Sequence, residues 1–131
     1  MTNPSFGYKR ILNLPFEEAV QKVRETLAKE GFGVLTEIDV KATLKKKLDV
    51  EFEKYVILGA CNPPFAYKAL QAELDIGLLL PCNVIIYEKE GKSIVSAIMP
   101  TVAMGMVKNP SLREIAIEVE AKLKKVVDSC Q

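Results

Sequence analysis

Residues 58–88 read LGACNPPFAYKALQAELDIGLLLPCNVIIYE and hold the clearest pattern in the chain. The continuous apolar run Tyr55–Cys61, which leads into this stretch, predicts a buried central strand. Asn62 and Pro63 then predict the start of a helix, because asparagine favours the N-cap and proline favours the first helical position. A second apolar run, Cys82–Glu88, predicts the next strand. The stretch is therefore interpreted as strand, helix and strand, with a cysteine at each junction.

Strand and helix patterns alternate along the rest of the chain. The predicted strands are about Tyr8–Leu14, Gly33–Val40, Tyr55–Cys61, Cys82–Glu88 and Ser93–Met99, and the predicted helices lie between Pro15 and Gly31, at Lys41–Leu48, from Pro63 to about Leu74, and from the capping box of Ser111 and Glu114 to Val126. The hairpin connection at residues 89–92 excludes a uniformly wound parallel sheet. We expect one domain, residues 1–131, of the α+β class, with two layers and one mostly antiparallel sheet packed against helices. Its expected order is β-α-β-(α)-β-α-β-β-α.

The composition is typical of a soluble globular protein. The chain has 131 residues, of which 49% are hydrophobic and 27% charged, and its formal net charge is +1. Nucleic acids and membrane surfaces are bound through a one-sided basic surface, so we expect neither as a partner. Residues 1–10 lack a secretory signal, and no apolar run reaches the roughly 20 residues that span a bilayer. We therefore predict a cytoplasmic protein with reduced thiols.

Cysteines are the main candidates for chemistry, because the chain has three of them and no histidine. If the strands of Cys61 and Cys82 are antiparallel neighbours, the two sulfurs lie close together. Cys61 also precedes a helix N-terminus, whose partial positive charge lowers the pKa of a thiol. The competing interpretation is that both are buried as small apolar residues. Zinc-type ligand spacing is absent, so no metal site is predicted, and Cys130 is expected to fray with the C-terminus and to have no role.

The connection Met99–Val107 is unusual because it is almost entirely apolar and holds three methionines. Loops normally face water, so something must cover this one. It could fold over the core of its own chain, close a ligand pocket, or form a subunit interface. We predict the last of these, a homodimer through Met99–Val107, because two-fold dimers are the commonest assembly.

Two short elements resemble a known family: Gly-Ala-Cys-Asn-Pro at residues 59–63 and Leu-Pro-Cys at residues 80–82. They are similar to the signature of the bacterial and archaeal family called domain of unknown function 302, and the similarity covers nearly the whole chain. The resemblance implies the same two-layer plan, and it implies no established activity, cofactor or substrate. It places a candidate site at Cys61, Asn62, Pro63, Leu80, Pro81, Cys82 and Glu88.

Three functions are compatible with these residues. The first is a small ligand-binding or accessory domain whose site lies near Cys61 and Cys82. The second is a thiol-dependent redox enzyme that uses the same two cysteines. In the third, both cysteines are purely structural, Asn62 and Pro63 only begin a helix, and Glu88 is the first solvated position of a hairpin. The absence of histidine and of any recognised catalytic motif favours binding.

Overall fold

Five strands form one sheet in this computed structural model, which describes residues 3–131. The strands are β1 (Gly7–Leu12), β2 (Gly33–Asp39), β3 (Tyr55–Cys61), β4 (Cys82–Lys89) and β5 (Lys92–Ile98). Their order across the sheet is β1-β5-β4-β3-β2, and every neighbouring pair is antiparallel. The predicted domain and the segment searched for a secretory signal both include residues 1 and 2, which lie outside the described residues.

The helices are α1 (Phe16–Lys29), α2 (Val40–Leu48), α3 (Pro63–Ala72), the short α4 (Pro100–Ala103) and α5 (Pro110–Ser129). Two 3-10 helices, Leu74–Leu79 and Met104–Met106, follow α3 and α4. The predicted α+β class and two-layer plan are confirmed. Among the described residues, none of the helices is long and apolar enough to cross a membrane.

One face of the sheet forms the core together with α1 and α5. Alternate residues of the central strands point to this face, and the buried ones on β3 and β4 are Val56, Leu58, Ala60, Cys82, Val84 and Ile86. They pack against the apolar stripes of the two helices, of which Val23 on α1 and Leu123 on α5 are buried members. The periodicity that predicted these helices therefore identified their buried faces correctly.

The edge strand β2 is irregular. Its register with β3 shifts between Val34 and Thr36, which leaves Leu35 as an extra residue, in the manner of a β-bulge. Leu35 and Ile38 are both exposed. An edge strand that twists away from its neighbour in this way buries little of either face, so the sequence pattern overstated its contribution to the core.

The start of α5 also differs from the prediction. Its N-cap is Asn109, whose Oδ1 accepts a hydrogen bond from the backbone N–H of Ser111 at 3.1 Å. The helix begins at Pro110, so Ser111 already lies inside it and the predicted capping box with Glu114 does not form. Asn109 and Pro110 start the helix instead, because asparagine caps it and proline occupies the first helical position.

The C-terminus is packed at Cys130, so the expected fraying there is wrong. Helix α5 continues to Ser129, and Cys130 has 0% exposure within the main core. Its thiol donates to the carbonyl of Val126 at 3.1 Å, and the Gln131 side chain donates to the carbonyl of Ile11 on β1. The last turn of α5 is therefore held against the sheet.

Candidate functional site

A cavity of about 270 Å³ lies where β3 and β4 meet the helical layer. Phe65, Ala66 and Ala69 of α3 form one wall, and Ile115 and Ala116 of α5 form another. Seventeen residues line the cavity, and none of them is charged. The arrangement is that of an apolar binding pocket with few polar groups.

Both cysteines of the candidate site line this cavity. Cys82 is paired with Ala60 across β3 and β4, so Cys61 lies one residue further along, with its Cα about 6 Å from that of Cys82. The pleat directs consecutive residues to opposite faces, yet Cys61 still reaches the cavity, where β3 ends and the chain turns into α3. The strands are adjacent as expected, and both thiols are free.

The two thiols have different surroundings. Cys82 is buried, whereas Cys61 is half-buried. Burial, with a smaller effect from the neighbouring charge of Cys61, raises the pKa of the Cys82 thiol to about 11. At neutral pH Cys82 is therefore a neutral thiol that contributes apolar surface to the cavity wall.

Asn62 occupies the N-cap position of α3 as predicted, but its side chain does not cap that helix. Its Nδ2 instead donates to the backbone carbonyl of Glu30 at 3.2 Å, where α1 ends. The chain turns there through Gly31, which has a φ of +85° that favours glycine. Asn62 therefore ties the end of α1 to the start of α3 and borders the cavity.

Gly59 allows β3 to lie close to Thr36 on β2 and to the Leu80–Pro81 segment. A Cβ atom at this position would lie 2.8 Å from Cγ of Pro81 and 2.2 Å from Oγ1 of Thr36. Leu80 and Pro81 line the cavity beside Cys82. The glycine of the Gly-Ala-Cys-Asn-Pro element is thus explained by packing, because no side chain fits there.

Two of the candidate site residues lie outside the cavity. Pro63 is exposed at the first position of α3 and does not line it. Glu88 lies six residues after Cys82 on β4, about 20 Å away along an extended strand. It borders a separate surface depression with Lys41 and Lys54. The structure therefore brings together Cys61, Asn62, Leu80, Pro81 and Cys82.

The Met99–Val107 segment supplies a further wall of the cavity. Pro100 and Met104 are buried and line it, while Val102 and Met106 are exposed. The segment is anchored by Glu120 of α5, whose carboxylate accepts hydrogen bonds from the Thr101 hydroxyl at 2.6 Å and from its backbone N–H at 3.1 Å. Part of the segment thus packs over the core of its own chain. The sequence pattern did not identify Met104 as a cavity residue.

The α3 wall was also missed, although the sequence carried a signal for it. Phe65, Ala66 and Ala69 recur at helical spacing on the face that meets α5. The small side chains of Ala66 and Ala69 leave space beside α5 that larger ones would fill. Within residues 3–131, no three His, Cys, Asp or Glu side chains converge to hold a metal ion.

Comparison with known proteins places the chain in a family. A family model described as "Domain of unknown function DUF302" matches residues 8–130. The chain belongs to the DUF302 family. The crystal structure of an uncharacterized conserved DUF302 protein from Bacillus stearothermophilus is similar to it, with 33% sequence identity and a TM-score of 0.92 over 98% of this chain and 100% of the other. Among curated proteins, none matches.

Membership of the DUF302 family agrees with the resemblance seen in residues 59–63 and 80–82. In this DUF302 protein the two elements meet at one end of β3 and β4, because the strands that carry them are antiparallel neighbours. Their residues border the same apolar cavity. The family description names no reaction, so the function must be argued from that cavity.

Proposed function

We propose that this DUF302 protein binds an uncharged, largely apolar small molecule in the cavity between α3, α5 and the ends of β3 and β4. The observation that carries the proposal is a cavity of about 270 Å³ with no charged lining residue. An apolar cavity of about 150 Å³ accepts benzene, so this one has room for a molecule of about two fused rings. A ligand buried there replaces empty apolar space with dispersion contacts.

The mouth of the cavity supports entry from solvent. Leu35 and Leu70 line the cavity and are also exposed, so they form an apolar rim. Pro100 and Met104 also line the cavity, and the Thr101–Glu120 hydrogen bonds hold their segment against α5. A ligand can therefore reach the interior along apolar surface without disturbing a charged group.

The redox alternative has little support at Cys82. Thiol exchange needs a thiolate, and the pKa of the Cys82 thiol is raised to about 11, mainly by burial. Only about one Cys82 thiol in ten thousand is then ionised at pH 7. In the binding proposal Cys61 and Cys82 act as wall residues, and free thiols fit the reducing cytoplasmic location that the proposal includes.

A titration with 2-methylnaphthalene tests the proposal. Saturable shifts of backbone amide NMR signals are expected in α3 and α5. The Ala66→Leu variant fills the cavity from the half-buried face of α3 and should weaken binding at least tenfold. Ala121→Leu adds the same atoms at an exposed position of α5 and serves as the matched control. Absence of saturable shifts, or equal binding by all three proteins, would refute the proposal.

A further inference from the structure

The cavity wall contains one polar side chain besides the thiols, that of Asn62. The orientation of its amide is determined by chemistry, because the carbonyl of Glu30 can only accept a hydrogen bond and so must face Nδ2. Oδ1 therefore points away from the end of α1. In the part of the chain that the structure describes, no hydrogen bond to Oδ1 is present.

This free acceptor belongs to a residue that is only 8% exposed. Among the described residues, no fully buried side-chain oxygen or nitrogen lacks a partner, so Oδ1 must retain contact with accessible space. Asn62 lines the cavity together with Phe65 and Cys61, so the cavity is an accessible space at this side chain. A hydrogen bond in largely apolar surroundings is electrostatically stronger than in water, so this acceptor favours a ligand that carries a donor.

We infer that the ligand carries a hydrogen-bond donor, a hydroxyl or an N–H on an uncharged aromatic or aliphatic body, and that Asn62 Oδ1 accepts from it. This inference rests on the proposed binding function and specifies its ligand class. Anions are excluded by the same wall, since none of its lining residues is a cation that could pair with them and Asn62 Oδ1 is itself an acceptor. Asn62 thus determines specificity, while the apolar walls supply most of the affinity.

Three compounds with the same ring system test the ligand class: 2-naphthol, 2-methylnaphthalene and 2-naphthoate. In a cavity without an acceptor, 2-naphthol should bind about tenfold more weakly than 2-methylnaphthalene, because its hydroxyl would be buried without a hydrogen bond. We expect instead that 2-naphthol binds at least as tightly as 2-methylnaphthalene and that 2-naphthoate binds at least tenfold more weakly than either. Dissociation constants come from amide NMR titrations at neutral pH.

Asn62→Leu should raise the dissociation constant of 2-naphthol at least tenfold and change that of 2-methylnaphthalene by less than threefold. The matched control is Asn109→Leu, because Asn109 also precedes a helix-starting proline and donates to a helix-end carbonyl, that of Ala72, but does not line this cavity. It should leave both affinities unchanged.

The possible results separate the two proposals. If 2-methylnaphthalene binds and 2-naphthol is the weaker ligand, or if 2-naphthoate binds as well as the others, the donor inference is wrong and the binding function stands. If none of the three binds, the binding function itself fails. Should Asn62→Leu not fold, the order of the three affinities in the unmodified protein decides the question.

Discussion

Asn62 and Asn109 make the same connection at two places in the fold. Each is the N-cap of a helix that begins with proline, and each donates its Nδ2 to a backbone carbonyl where another helix ends. Asn62 reaches Glu30 at the end of α1, and Asn109 reaches Ala72 at the end of α3. Helices α1, α3 and α5 are thereby linked end to start by asparagine side chains.

Replacing either asparagine should destabilise the protein. Asn62→Leu removes the partner of a helix-end carbonyl, which typically costs about 1–3 kcal/mol of unfolding free energy. Asn109→Leu should cost at least as much, because this side chain also accepts from the N–H of Ser111. Urea unfolding monitored by circular dichroism measures both. A loss below about 0.5 kcal/mol for the two variants would show that water replaces these contacts without penalty.

Gly59→Ala should be strongly destabilising. The added Cβ would meet Oγ1 of Thr36 at 2.2 Å and the ring of Pro81 at 2.8 Å, so strand β3 or the Leu80–Pro81 segment must shift. Overpacking of this kind costs about 1–3 kcal/mol. Gly77→Ala is the matched control, because a Cβ there meets no atom within 4 Å. Equal midpoints of urea unfolding for the two variants would contradict the packing explanation of Gly59.

Protein stability should fall at alkaline pH through Cys82. The pKa of its thiol is raised from 9.0 to about 11 in the fold, mainly by burial. Below pH 9 both states keep the proton, so this group adds no pH dependence. Between about pH 9 and 11 the unfolded chain loses the proton first, and the unfolding free energy drops by about 2–3 kcal/mol.

Comparison with Cys82→Ala isolates this effect from other groups that titrate in the same range. The variant should be less stable at neutral pH, because a buried side chain is lost, and should show a shallower decline above pH 9. Parallel stability curves for the two proteins across pH 8 to 11 would mean that burial of Cys82 does not perturb its thiol.

Cys130→Ala should also destabilise the fold, by about 1–2 kcal/mol. Its side chain is fully buried between α5 and the sheet, so deleting the sulfur leaves a cavity. Binding of 2-methylnaphthalene by the folded variant should be unchanged, because Cys130 does not line the α3–α5 cavity. Thermal unfolding and the NMR titration measure the two effects independently. A variant as stable as the unmodified protein would support the original expectation that the C-terminus frays.

The homodimer proposed through Met99–Val107 now has a sharper test. Met106 is 74% exposed and Val102 is also exposed, whereas Met104 is 8% exposed and packs inside its own chain. If a second subunit covers the segment, Val102→Lys with Met106→Lys should give a folded monomer. Met104→Lys is expected to unfold the chain instead, because it buries a charge. Light scattering of the unmodified protein that shows only monomer would end the dimer proposal.

Local signals in the sequence predicted most of the fold. Gly31 marks the end of α1 through a positive φ that few other residues adopt, and Pro63 marks the start of α3 because its fixed φ suits the first helical position. The apolar run Tyr55–Cys61 is a strand with the predicted bounds. Asn109 was overlooked in favour of Ser111 because both are good N-caps, and only the proline between them decides where α5 begins.

The candidate site was predicted in part, and the errors have physical causes. The strands of Cys61 and Cys82 are antiparallel neighbours as expected, which brings a strand end beside a strand start, and both residues line one cavity. Glu88 was grouped with them although it lies six residues after Cys82 along an extended strand, a distance that the sequence alone already implied. Met104 and Met106 differ in burial only through tertiary packing, which neither composition nor periodicity records.

The order of strands in the sheet determines when the core can close during synthesis. β1 pairs only with β5, so that Gly7 faces Ile98, and the N-terminal strand has no partner until residues 92–98 have been made. Strands β2 and β3 can pair much earlier, but the apolar face of α1 stays uncovered while the ribosome completes β4 and β5. The core therefore closes in one late, long-range step, and a nascent chain paused before it presents that helix to chaperones and to neighbouring nascent chains.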